Sequence, residues 1–340
     1  MTTVTAKTAA AAPPAIKRDW LPLLIVPVLA VAAVPLVGSF STWLTLTVAG
    51  LAMGMMIFVM ASGLTLVFGL MDVLNFGHGV FISIGAFAVT LVVLPLATMV
   101  QADSVLLNVA VLLLCAVVAM TLTGALGWAF ERVIVRPVYG QHLKQILVTM
   151  GGLIVVEQLL VVFFGGNPIT IALPRSFRGG FAIGPDIVVE RYRLIAVAVG
   201  LVVFLGMLLV LNRTRIGLLV RAGVENAEMV EALGYRIRRL FIGVFVAGSA
   251  LAGLGGVMWG FYQQTLTVGM GLQVLVLIFI VVIIGGLGSI GGCLIGSLLV
   301  ALIANYTAFL EPKIALVSNI ALMLAVLLWR PQGLYPVVRS

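Results

Sequence analysis

The sequence predicts an all-α, polytopic transmembrane helix bundle of about ten apolar segments, some of them candidate half-helices. Three observations predict it. Of the 340 residues, 63% are hydrophobic and only 9% are charged, where a soluble domain carries roughly 25% charge. So few polar groups cannot clothe a water-facing surface of this size, and a mean hydropathy of +1.28 makes lipid the outer solvent. The apolar runs are also long and unbroken, as in Val105 to Ala119 and Gln273 to Ile284. In hydrocarbon every backbone amide needs an internal partner, so only helices and closed barrels span. A barrel would alternate in short segments.

Residues 1–19 are mostly Ala, Thr and Pro and read as a disordered tail. Residues 20–340 form one membrane domain. Crossing hydrocarbon takes roughly 20 helical residues. On that ruler the apolar segments are Trp20 to Val37, Trp43 to Phe68, Phe76 to Met99, Val105 to Phe130, Gln145 to Phe164, Leu194 to Leu211, Leu240 to Phe261, Leu272 to Leu287, Gly291 to Ala308 and Ile314 to Trp329. The first follows Lys17 and Arg18 and could be a cleaved signal peptide. A long leading region without a small-residue cleavage site favours a retained span. The eighth and ninth are parted only by the turn around Gly288, which marks both as half-helix or re-entrant candidates.

Charge sets the orientation. With the N-terminus inside, fourteen of the nineteen Lys and Arg residues fall in inner loops and five, Arg175, Arg178, Arg191, Arg193 and Lys313, in outer ones. This is the bias of the positive-inside rule, and it explains the net charge of +8 without nucleic acid. The outer loop 165–193 is rich in Gly and Pro and reads either as a short hairpin that meets an external partner or as a plain connector. The inner loop 212–239 has no Pro and is amphipathic. In it Val224, Ala227, Val230 and Leu233 recur every three residues, as do Glu225, Glu228 and Glu231. A single short helix outside the bilayer would carry an apolar edge and an acidic one. Gly234 would cap it in the left-handed conformation. Interfacial helices favour Lys and Arg on the polar face, so an acidic row suits a soluble protein partner better than lipid headgroups.

Several chemistries have no supporting motif. None of the four lysines follows a Gly-rich phosphate loop. His78 and His142 have no Cys or carboxylate at ligand spacing. Cys115 and Cys293 lie in apolar stretches and read as core residues. No hydrolase or metalloprotease signature occurs. The expectation is a protein that is not an enzyme and holds no metal or cofactor of its own.

Polar groups inside the membrane default to function. The first cluster runs from Gly63 to Gly79 and contains Asp72, Asn75 and His78 at three-residue steps. A helix would put them near one face, and the glycines permit a break between half-helices lining a cavity. A tight turn with Asn75 as a helix N-cap is an equal reading. The second cluster, Ile284 to Ser297, includes Gly285, Gly286, Gly288 and Ser289. Glycine this dense serves close packing or an unwound segment. Its Gly-rich break before an apolar helix makes it a candidate pseudo-repeat partner of the first cluster. Glu157, beside Gln158, is a lone carboxylate that needs a partner or a wet cavity.

Five ordered blocks carry a family resemblance. They are Gly63 to Gly79, ending Val-Leu-Asn-Phe-Gly-His-Gly; Glu131 to Val138; Thr214 to Gly217 with Ala232 to Gly234; Gly285 to Gly292; and Arg330 to Leu334. From about Gly50 onward the chain resembles the branched-chain amino-acid ABC importer permeases, most closely the LivH-type inner-membrane subunit. Val80 departs from it, standing where many members carry Glu. The resemblance implies a permease subunit in a bacterial inner membrane, multi-pass with its N-terminus cytoplasmic. It would carry branched-chain amino acids or a similar small polar solute inward. A periplasmic solute-binding protein would deliver the solute, and a second permease subunit, homologous or identical, would complete the path. Cytoplasmic ATPase subunits would bind the ATP. The inner loop would then be the coupling helix, with Arg221, Glu225, Asn226, Glu228, Glu231 and Gly234 at the ATPase contact. Asp72, Asn75, His78, Glu157, Gly285, Gly286, Gly288 and Ser289 would mark the path. The competing readings are an ion- or proton-coupled secondary transporter, for which Glu157 is a meagre ion site, and a membrane scaffold.

Overall fold

The computed structural model describes residues 21–184 and 187–335; the tail expected at 1–19 lies outside them. The chain begins with two apolar helices, α1 (Leu21–Ala32) and α2 (Val34–Val37), parted just ahead of Pro35, whose missing N–H interrupts the ladder. Next come α3 (Phe40–Met71), α4 (His78–Val93), α5 (Ala97–Gln101) and α6 (Val105–Phe130). α6 runs into a π-helical turn at Glu131–Val135 and a 3-10 turn at Arg136–Val138, then α7 (His142–Phe164) follows. Short strands lie beyond it: β1 (Ile169–Thr170), β2 (Gly180–Gly184) and β3 (Ile187–Glu190). The rest is α8 (Arg191–Arg213), α9 (Arg215–Glu225), α10 (Ala227–Ala232), α11 (Ile237–Gln263), β4 (Thr265–Leu266), α12 (Met270–Gly285), α13 (Ile290–Leu310) and α14 (Ala315–Trp329). Among the described residues six helices are long and apolar enough to cross a bilayer, and four shorter apolar ones accompany them. The chain is thus a polytopic helical bundle, and about ten apolar segments of the sequence are helical as expected.

α3 is the buried centre, while α6, α7 and α8 keep most of their apolar side chains on the outside. Lipid tails are as apolar as leucine, so helices in a membrane gain little from hiding hydrocarbon and associate instead by close packing. The central crossings follow that rule. A Cβ placed on Gly63 of α3 would overlap the Gly248 carbonyl of α11, and one on Gly85 of α4 would overlap the Gly253 main chain of the same helix. α11 therefore touches both α3 and α4 backbone to backbone.

The two ends of the bundle differ. At one, β2 and β3 form an antiparallel hairpin with Phe181 opposite Val189, the hairpin reading of the 165–193 loop. At the same end β1 pairs with β4, Ile169 opposite Leu266. The other end carries α9, α10 and the α6–α7 elbow.

An internal repeat joins these ends. α3 and α11 both stop in the left-handed conformation, at Asp72 (φ 52) and Gln264 (φ 53). Among the described residues no other non-glycine has positive φ. One constant offset carries Asp72 onto Gln264, the N-cap Gly77 onto the N-cap Gly269, and all 16 residues of α4 onto the 16 of α12. The turn after α11 lies at the hairpin end, where the Ile171 N–H donates to the Gln264 carbonyl at 3.0 Å. The turn after α3 lies at the other end, where the Phe76 N–H donates to the Thr149 hydroxyl near the start of α7 at 3.2 Å. The repeats are inverted. The sequence offered Ile284 to Ser297 as the partner of the first cluster; its partner in space is instead the segment from Gly255 to Gly271. That equivalence lies in backbone conformation and glycine position, while the side chains between have diverged.

Each turn leads back into the bundle. His78 Nε2 lies 2.9 Å from the Met60 carbonyl, three turns before α3 ends, or about 16 Å along its axis. α4 thus starts inside the bundle. α12 does the same, and the two starts meet. A Cβ on Gly79 would lie 2.9 Å from the Gly271 carbonyl, and the Gly271 N–H donates to the Ser83 hydroxyl at 3.1 Å. Sixteen residues then suffice for each helix to leave the membrane, which supports the half-helix reading of the eighth segment. The third proves shorter than expected, because α4 ends at Val93 and a turn precedes α5.

Gly85→Ala should lower the melting temperature of the detergent-solubilised protein by an amount equivalent to about 1–3 kcal/mol of overpacking. Gly206→Ala, where a Cβ meets nothing within 4 Å, should leave it equal or higher.

Candidate translocation and coupling sites

The Asp72, Asn75 and His78 triplet is not on one helix face, because residues 72–77 are not helical. Asp72 is the left-handed C-cap of α3, its N–H bonded to the Phe68 carbonyl at 3.0 Å. His78 opens α4 and is 1% exposed, its ring held by Met60 as above. Asn75 is 1% exposed and does not cap α4 through its side chain. The N-cap is Gly77, and neither amide atom of Asn75 has a hydrogen-bond partner among the described residues. The glycine-permitted break is what the chain adopts, buried in protein, where irregular backbone is tolerated at membrane depth. Val80 is buried.

The second cluster forms a turn between α12 and α13. Gly286 and Gly288 take positive φ, and Ser289 caps α13 by accepting the Gly292 N–H at 3.1 Å. Gly285 packs against Gly292, and the tail folds back so that the Leu334 N–H donates to the Ile284 carbonyl at 2.8 Å. A Cβ on Gly69 would lie 2.6 Å from the Gly288 Cα. The two Gly-rich clusters therefore touch, although they are not repeat partners. Glu157 stands apart on α7, half-buried, its Oε1 without a partner among the described residues.

The inner loop is two helices, not one. Asn226 breaks the pattern and caps α10, its Oδ1 accepting the Met229 N–H at 2.8 Å. The acidic row is divided accordingly, with Glu225 closing α9 and Glu228 and Glu231 exposed on α10. The apolar edge is divided too. Val230 is buried, whereas Met229 and Leu233 are 60% and 70% exposed and lie four residues apart on one side of α10. Gly234 has φ +87, as its placing in the sequence predicts. The Tyr235 N–H reaches the Val230 carbonyl at 3.2 Å and the Gly234 N–H the Glu231 carbonyl at 2.8 Å, the bond pair of a Schellman cap. On α9, Arg221 is exposed and its Nε turns back on the Gly217 carbonyl at 3.4 Å.

Three residues that the sequence did not mark stand beside the α3–α4 turn. Gln145 and Thr149 are buried on the first half of α7, and Glu131 is buried in the π-helical turn. A carboxylate at the head of a basic loop, and an amide at the head of an apolar run, look like ordinary interfacial residues. Tyr139 donates to Glu131 Oε1 at 3.3 Å. Burial, then the Glu131 carboxylate, push the Tyr139 phenol well above its ordinary range, while Arg238 of α11 pulls it down.

The site thus combines a buried inverted repeat, a capped helix pair at one end of the bundle and a hairpin at the other. The family described as "Branched-chain amino acid transport system / permease component" matches residues 46–327. The chain belongs to that family. It is 28% identical to the high-affinity branched-chain amino acid transport system permease protein BraD of Pseudomonas aeruginosa, over 84% of this chain and 93% of that protein. It is 29% identical to the corresponding LivH proteins of Salmonella typhimurium and Escherichia coli K12, over 84% of this chain and 92% of theirs. No solved structure matches it. Membership makes this chain a multi-pass inner-membrane transport subunit, and four of the five blocks quoted from the sequence lie inside the matched residues.

Asn226→Ala removes a cap worth about 1 kcal/mol, and Gly234→Ala strains the left-handed position. Each should speed amide hydrogen exchange across Glu228–Tyr235 and leave the α3 and α11 amides unchanged.

Proposed function

We propose that this chain is the permease subunit of an ATP-binding-cassette importer, moving branched-chain amino acids or a similar small polar solute inward. The observation that carries the proposal is the family match along most of the chain, joined to a water-facing α9–α10 unit built to be held. Met229 and Leu233 expose hydrocarbon on the same short helix as the exposed Glu228 and Glu231, a helix stiffened at both ends. Lipid headgroups would not select that acidic face, and a groove in a soluble protein would. The chain has no phosphate loop of its own, so ATP binding and hydrolysis fall to cytoplasmic ATPase partners, and this subunit itself does no catalysis.

The excess of Lys and Arg in the loops at the α9–α10 end supports a cytoplasmic placing of that end and of the N-terminus with it. The β2–β3 hairpin then faces outward, where a periplasmic solute-binding protein docks. A second permease subunit, identical or related, covers part of the exposed apolar surface of the outer helices. Asn75 and His78 lie on the path side of the repeat, with Asp72 and Glu157 at its polar margins. Gly285, Gly286, Gly288 and Ser289 shape the turn that abuts α3. Arg221, Glu225, Asn226, Glu228, Glu231 and Gly234 make or brace the ATPase contact. A secondary carrier is not favoured, since Glu157 Oε1 has no partner among the described residues and no acidic or His/Cys cluster forms among them.

Co-expression with the cognate ATPase should give a complex that survives purification. Glu228→Lys with Glu231→Lys should cut uptake about tenfold or more, the effect of roughly 1.4 kcal/mol at the contact, with membrane insertion intact. Normal uptake by that variant would remove α10 as the handle.

A further inference from the structure

Along its whole length α7 buries Gln145, Thr149, Leu153 and Leu160. The stripe changes character at Gly151 and Gly152. Beyond them it is hydrocarbon, ending where the Phe164 ring lies 4.9 Å from that of Phe87. Before them it is an amide and a hydroxyl. Thr149 is satisfied: its hydroxyl donates to the Gln145 carbonyl at 2.7 Å and accepts the Phe76 N–H at 3.2 Å. Gln145 Oε1 is buried with no partner among the described residues, and so are both amide atoms of Asn75 on the facing turn and Glu131 Oε2 at the elbow. The ring of Phe130 fills the gap between Gly77 and Gly152. The α3–α4 turn, the first half of α7 and the elbow thus carry four orphaned polar atoms, on elements joined by the Phe76–Thr149 bond and the Phe130 ring. Folded proteins leave few such groups, and each calls for a reason.

The other side of this half-helix is open. Leu143 and Leu147 are 73% and 62% exposed, and a Cβ on Gly151 would meet nothing within 4 Å. Paired small residues are where helices bend. The first half of α7 is thus fastened by a polar seam, the second half by an apolar one, with two glycines between.

We propose that the α7 seam is the exit of the solute path. The first half of α7 swings off the α3–α4 turn about Gly151–Gly152. The amides of Asn75 and Gln145, buried here, then face water and the hydrogen-bonding groups of a small polar solute. This rests on the importer reading given above. It explains why the buried stripe of α7 is polar before the glycines and apolar beyond them: groups that must be wetted in one state are left unpaired in the other. A seam of leucines would not reopen.

The test uses the assembled transporter in proteoliposomes, with Cys115 and Cys293 replaced by Ser. Gln145→Cys is compared with Leu160→Cys, which shares the stripe beyond the hinge, using a charged methanethiosulfonate reagent. Gln145→Cys should react at rates differing by about tenfold or more between nucleotide-free and ATP-trapped states, as expected when the open population shifts. Leu160→Cys should stay unreactive in both. In parallel, Asn75→Leu with Gln145→Leu should melt at or above the wild-type temperature yet take up solute about tenfold more slowly, because apolar pairs relieve unmet buried amides at no packing loss. The inference is overturned if Gln145→Cys is as unreactive as Leu160→Cys in both states, or if the double leucine variant transports normally. Failure of the importer reading shows separately, as a wild-type protein that binds no ATPase.

Discussion

At Gly63 and Gly248, and again at Gly85 where it faces Gly253, a side chain of one carbon would occupy the space of the facing main chain. Lipid offers no hydrophobic reward for burying one apolar helix against another, so these close approaches bring α11 onto α3 and α4. Much of the architecture depends on that nearness. With α3 and α11 in backbone contact, the two left-handed caps at Asp72 and Gln264 can send the chain back into the bundle from opposite ends. The helices that follow, α4 and α12, then meet at Gly79 and Gly271.

The same crossing links the water-facing unit to the core. α10 ends in the Schellman cap at Gly234, and α11 begins at Ile237, which is buried. A short, hydrogen-bonded connector joins α10 to α11, the helix that touches both α3 and α4 through glycine. Arg238, in the first turn of α11, is within electrostatic reach of Tyr139 at the α6–α7 elbow. The elbow positions the first half of α7. A pull on α9–α10 would therefore have a physical route to the α3–α4 turn, through packed main chain on one side and the buried Glu131, half-buried Tyr139 and exposed Arg238 on the other.

Much of this was legible in the sequence. Hydrophobic run length located the apolar helices, and Gly234 and the density of glycine in Gly285–Gly292 reported backbone conformations that hold. What misled was the assumption that spacing continues through a break. Asp72, Asn75 and His78 share a three-residue step, but a left-handed residue sits at the first of them, so the step never becomes a face. Asn226 likewise ends one helix and caps the next in the middle of an acidic row. The repeat was sought in glycine density, whereas it resides in dihedral angles at Asp72 and Gln264, which differ in chemistry. Gln145, Thr149 and Glu131 went unmarked because burial of a polar group at the head of a helix is a tertiary fact. Their sequence neighbours predict exposure.

The most direct test of the account is which face of the membrane each end occupies. Single cysteines at Val188, an exposed residue of strand β3, and at Glu228, on α10, can be treated in intact cells with a thiol reagent that does not cross lipid. The inverted arrangement predicts labelling at position 188 without permeabilisation and at position 228 only after it. Equal labelling of both in intact cells, or labelling of position 228 alone, would contradict the arrangement and leave the α9–α10 unit with no nucleotide-driven partner to hold it.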